Sequence, residues 1–120
     1  MKITKTLGVL TLAVAGVVGS AQAADLRLGA LYPFSGGLAL LGDESFRGFE
    51  LAAERRNAEG GLLGEQIQIV KGDAVDANQA VGTARRLVSV ENVKAIFGSY
   101  ASYISFAATQ VSELAGVPYF

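Results

Sequence analysis

Neither cysteine nor histidine occurs anywhere in the 120 residues. Without cysteine there can be no disulfide, no zinc–thiolate site and no thiol nucleophile, and no residue to carry the acyl chain of a bacterial lipoprotein. Without histidine, imidazole-based catalysis is excluded within these residues. Basic clusters are also missing. Arg55-Arg56 and Arg85-Arg86 are isolated pairs flanked by acids or surface residues, and they read as solvated helix faces, not as contacts to nucleic acid. The glycine motifs that cradle phosphates are absent too. The stretch Ala30-Leu31-Tyr32-Pro33-Phe34-Ser35-Gly36-Gly37 has neither the G-x-G-x-x-G nor the G-x-x-x-x-G-K spacing. It also puts Pro33 and Phe34 where backbone amides would have to approach a pyrophosphate. No G-x-S-x-G elbow is present, so nothing here anticipates a secreted α/β hydrolase.

The amino terminus has a three-part pattern. Two lysines fall within Met1–Lys5, Thr6–Ser20 is uncharged and mostly apolar, and Ala21-Gln22-Ala23 has the small-x-small form of a cleavage site. This is the layout of a secretory signal peptide, and the apolar run is marginal for a bilayer span of about 20 residues. Residues 1–23 are therefore expected to be removed on export, with no membrane anchor left behind. Their loss takes away two lysines and no acid, moving the formal net charge from −1 to −3. A mildly acidic product argues against nucleic acid or anionic membrane surfaces as partners.

From Ala24 onward strands and helices alternate. Leu26–Leu31 reads as a first strand, followed by a loop over Tyr32–Gly42 marked by Pro33, Gly36-Gly37 and Gly42. A helix is expected from about Glu44, capped by Asp43 and stopped by Gly60-Gly61. Gln66–Lys71 is a second strand near a sheet edge. Asp76 caps a helix to about Val90, with Ala77, Ala80, Val81, Ala84, Leu87 and Val88 on one face. Val93–Phe97 is a buried parallel strand. The next helix runs from Ser102 to Ala115, with Ile104, Ala107, Ala108, Val111 and Leu114 or Ala115 inward and Gly116 at C′. Val117–Phe120 opens a fourth strand. This β-α-β-α-β-α-β order specifies an α/β fold, a parallel sheet with helices on both faces.

In such sheets ligands bind beyond the carboxyl ends of the strands, where strand order reverses. That directs attention to the loops after the first and third strands. The second of these, Gly98–Ala101, leads into a helix start whose free amides attract an anion such as a carboxylate. Ser102 stands where an N-cap would stand, its hydroxyl at that mouth; from the residues alone the ordinary cap is the favoured reading. Asp43-Glu44 and the Asp73/Asp76 pair read as structural, not as metal or acid–base pairs: Asp43 and Asp76 as helix caps and Glu44 as a first-turn charge.

Several segments resemble the periplasmic branched-chain amino-acid-binding proteins, which have the type I periplasmic binding fold. These are Gly29–Gly42, Gly48–Glu54 with Asn57–Gly64, Asp73–Val81, Phe97–Ser102 and Gly116–Phe120. The resemblance implies a non-enzymatic, cofactor-free, two-lobed periplasmic protein that closes on an amino acid or amide and delivers it to the membrane subunits of an ABC permease. It also implies that Ser102 accepts the ligand carboxylate, that Tyr100 and Ala101 line the same corner, and that Leu41 forms part of the side-chain wall. Leu41 stands where leucine-type binders often carry an aromatic, and Arg56 where the family commonly has an apolar residue facing the sheet. Cleavage leaves 97 residues, below the usual ~100–150 of one domain. The expectation is the first part of an amino-terminal lobe, either within a longer product or truncated before the hinge and second lobe. A ligand-sensing receptor ectodomain would use the same fold.

Overall fold

The computed structural model describes residues 25–120; the expected signal peptide lies outside the described residues. Strand β1 (Asp25–Tyr32) leads through a short 3-10 helix (Gly36–Leu38) directly into α1 (Ala39–Ala58). Then follow β2 (Gln66–Asp73), α2 (Ala77–Ser89), β3 (Ala95–Gly98) and α3 (Ser102–Leu114). All strand pairs are parallel, in the order β2-β1-β3. Residues 118–120 continue the sheet beyond β3. The Ile96 amide donates to the Pro118 carbonyl, while the Phe120 and Gly98 amides donate to Ile96 and Phe120, each at 2.9 Å. The expected fourth strand thus pairs in parallel at Tyr119.

Successive side chains of β1 serve opposite faces of the sheet, as the two-residue period requires. Leu31 joins Leu87, Ile96 and Ile104 in a core roofed by α2 and α3. Ala30 and Tyr32 face the other way, onto Phe46 of α1. Helices therefore cover both faces. Alanines at 80, 84 and 108 carry no side chain beyond Cβ, and all three are fully buried between α2, α3 and the sheet. The fully buried Leu87, Ile96 and Ile104 each stabilise the fold by roughly 1.5–3 kcal/mol.

Local chemistry accounts for most of the boundaries. The Asp76 carboxylate accepts from the Gln79 amide at 2.8 Å, capping α2 as expected. Both α1 and α3 end in paired Schellman bonds. Gly61 and Gly60 donate to Arg56 and Asn57, and Val117 and Gly116 donate to Ser112 and Glu113. The Asn57 side chain also pairs with both backbone groups of Ile67, at 2.9 and 2.7 Å, holding β2 against α1.

Three expectations are corrected. First, α1 begins at Ala39, so Asp43 caps nothing and Leu41 is helical; the first residue is preceded by Leu38, which makes no side-chain cap. Gly42 is not a loop marker but a contact residue, since a Cβ there would lie 1.9 Å from the Pro33 carbonyl oxygen. Second, the inward stripe of α3 closes on Ser112, 1% exposed, while Leu114 is 92% exposed and Ala115 also faces solvent. The Ser112 hydroxyl is satisfied by the Thr109 carbonyl at 3.1 Å. Third, Ser102 is not the cap of α3. Ala101, with extended backbone angles, holds that position and offers no side-chain acceptor.

Candidate ligand-binding site

The carboxyl ends of β1 and β3 lie side by side, Leu31 opposite Gly98, so the turns that follow them meet above one edge of the sheet. Each turn is tied down separately. On the β1 side, Asp73 at the end of β2 accepts from the Phe34 amide at 2.7 Å and from the Ser35 hydroxyl at 2.5 Å. The Phe34 ring packs edge-on to Phe46 at 5.4 Å. Lys71 Nζ stands 3.9 Å from the Phe46 ring centre and 5.1 Å from that of Phe34, a cation–π arrangement that holds the same corner. Burial, and then the Tyr119 phenol, push the Tyr32 hydroxyl above its ordinary pKa, so it is neutral at physiological pH.

On the β3 side, the buried Ser99 organises the turn. Its hydroxyl accepts from the Ala101 amide at 3.2 Å, and its carbonyl accepts from the Ser105 hydroxyl at 2.6 Å. Its amide donates to the Tyr119 hydroxyl at 3.2 Å. The two turns are then latched together, because the Tyr100 hydroxyl donates to the Leu38 carbonyl at 2.9 Å. Tyr103 reaches the Val75 carbonyl at 3.4 Å, bringing the turn after β2 to the same rim.

The result is an α3 amino terminus with no capping side chain. The amides of Ser102 and Tyr103 in its first turn belong to the set that a helix leaves without internal acceptors. Ser102 is exposed, and its hydroxyl has no hydrogen-bond partner among the described residues. Leaving the cap position to Ala101 thus frees both the hydroxyl and the amides for a guest. Tyr100, which makes the latch, is 42% exposed, and Leu41, three residues on from Leu38 in the first turn of α1, is 52% exposed. Ala101 differs from these: its side chain belongs to the core, 8% exposed. Sequence reasoning passed over Asp73 as a tether, and over Ser99, Ser105 and Tyr119. The contacts that give them these roles, Asp73 with Phe34, Ser99 with Tyr119 and Tyr119 with Ser105, span 39, 20 and 14 residues, beyond any local pattern.

Two of the paired arginines, Arg56 and Arg86, have partners within the lobe. Arg56 pairs with Glu59 at 3.5 Å and borders an apolar hollow with Leu28, Phe49 and Phe97. Arg86 pairs with Glu91 at 2.9 Å and donates to the Lys71 carbonyl. Among the described residues no group of carboxylates is placed to hold a metal ion, and no helix is long and apolar enough to cross a membrane.

A parallel sheet in the order β2-β1-β3 with helices on both faces is a doubly wound α/β arrangement, the class to which lobes of the type I periplasmic-binding fold belong. Solved structures share it. The isoleucine-bound branched-chain amino-acid transporter substrate-binding protein LivJ of Streptococcus pneumoniae aligns over 79% of this chain and 28% of its own, with a TM-score of 0.76 and 32% identity. A benzoate-bound ABC transporter solute-binding protein from R. palustris aligns over 80% of this chain and 26% of its own, with a TM-score of 0.72 and 29% identity. In sequence, Leu/Ile/Val-binding protein homolog 7 of Brucella abortus is 67% identical over 103 residues, 85% of this chain and 26% of the relative. Residues 25–120 match the family described as periplasmic binding protein. The chain belongs to that family. It spans about a quarter of the length of the curated relatives it matches.

Proposed function

We propose that residues 25–120 form part of the ligand-binding unit of a substrate-binding protein that captures an amino acid in the periplasm and presents it to an ABC permease. The observation that carries this reading is the uncapped start of α3, with the Ser102 hydroxyl unpartnered and the helix dipole pointing at the switch point. Ser102 and the first-turn amides take the ligand carboxylate. Tyr100 and Leu41 supply apolar wall, and Ala101 contributes main chain only. Export through a cleavable signal peptide at residues 1–23 would deliver such a protein to the periplasm. Closure on ligand follows from tighter contacts in the closed than in the open state.

Isoleucine and benzoate, the ligands of the two neighbours above, have a carboxylate in common and little else. That supports a site whose fixed element reads the carboxylate while the rest of the pocket sets the side chain. Aromatic acids are accordingly the second ligand class to test, after leucine, isoleucine and valine. Calorimetry on the full-length protein decides. Ser102→Ala removes one charge-assisted hydrogen bond, worth about 1.5–3 kcal/mol, so affinity should fall at least about tenfold. Unchanged affinity would overturn the carboxylate role.

A further inference from the structure

The turn that carries the proposed carboxylate site is held by a closed ring of hydrogen bonds that runs through Tyr119, outside the site. The Ser99 amide donates to the Tyr119 hydroxyl at 3.2 Å, and that hydroxyl donates to the Ser105 hydroxyl, also at 3.2 Å. The Ser105 hydroxyl in turn donates to the Ser99 carbonyl at 2.6 Å. Donors and acceptors are consistent around the ring: each hydroxyl gives one proton and receives one. With the Ala101 amide on the Ser99 hydroxyl, three successive peptide groups are fixed, those joining residues 98–99, 99–100 and 100–101. The next two amides, of Ser102 and Tyr103, are the ones left without an acceptor by the helix start.

The phenol fits only because residue 98 is glycine, since a Cβ there would lie 1.9 Å from the Tyr119 oxygen. Tyr119 also sits on the segment paired with β3 at Ile96, so the ring braces the turn against the sheet itself. We infer that Tyr119 and Ser105 are positioning residues for ligand binding: they preorganise the start of α3 without touching the guest, and so lower the ordering cost of binding. This rests on the carboxylate role given to Ser102 above.

The test is calorimetry and stopped-flow dissociation with leucine on the full-length protein, comparing Tyr119→Phe, Ser102→Ala and the double variant. Tyr119→Phe keeps the ring system and removes only the hydroxyl. Affinity should fall about five- to tenfold, through faster dissociation, and amide exchange at residues 99–101 should quicken. The double variant should lose less than the product of the two single losses, because a loosened turn already forfeits part of the Ser102 contact. Should Tyr119→Phe fail to fold, Ser105→Ala breaks the same ring and is measured in its place. Wild-type affinity in a folded ring variant, or strictly multiplicative losses, would overturn the positioning role. If instead Ser102→Ala binds normally while the ring variants lose affinity, the ring positions something other than the carboxylate site, and the inference fails with the reading beneath it.

Discussion

Gly98→Ala should be among the most damaging single-methyl additions in the sheet, and the structure sets its size. An ideal Cβ at residue 98 falls 1.9 Å from the Tyr119 oxygen, 2.4 Å from Cζ and 3.0 Å from Cε2, against an ordinary contact distance of 3.4–4 Å. Relief requires a relative shift of about 1.5 Å, in a phenol held on two sides by hydrogen bonds. Interiors pack at crystal-like density and do not yield that much locally, so overpacking of this kind costs about 1–3 kcal/mol. The cost should appear in urea unfolding as a lower midpoint at constant slope. Because the shift must displace the Tyr119 hydroxyl, ligand affinity should fall as well. Tyr119→Leu takes away the offending ring atoms, so adding Gly98→Ala in that background should cost at least 1 kcal/mol less than in the wild type. An equal cost in both backgrounds would refute the steric argument, whatever its absolute size.

Two further outcomes follow from the same geometry. Asp73→Ala releases the Phe34 amide and the Ser35 hydroxyl; at this solvent-exposed position the loss should be about 1 kcal/mol, and hydrogen exchange at the Phe34 amide should accelerate, whereas unchanged exchange would show that the tether does not hold the turn. Leu63→Asn should stabilise the protein by about 0.5–1 kcal/mol in thermal or urea unfolding, because Leu63 (φ 55°) and Gly64 (φ 82°) form a two-residue turn closed by Leu62 and Glu65, where asparagine tolerates the left-handed backbone and a 92%-exposed leucine has nothing to lose.

Much of the fold was legible because its signals are local. Asp76 caps α2 from three residues away, Gly60-Gly61 and Gly116 close their helices, and the apolar runs of β1 and β3 mark strands buried on both faces. Even the edge position of β2 shows in its weakened alternation. The misreadings arose where a residue's role depends on a distant partner. Gly42 reads as loop punctuation because Pro33, nine residues earlier, packs against it only in the folded chain, and Leu41 reads as a loop residue because the early start of α1 depends on that same contact.

The candidate site divides along the same line. Its location needed no more than the β-α order and the rule that ligands gather beyond the strand ends at a reversal of order, and Ser102 came from the helix start that follows β3. Sequence alone therefore determined the fold class, the switch point and the helix aimed at it, all of which follow from short-range pattern and connectivity. Tertiary structure decided the rest. It set Ala101 at the cap so that the Ser102 hydroxyl stays free, turned the Ala101 side chain into the core, latched Tyr100 to Leu38 and closed the ring through Tyr119. Those contacts join segments up to 62 residues apart, and such separations become short distances only once the sheet has brought the ends of β1 and β3 together.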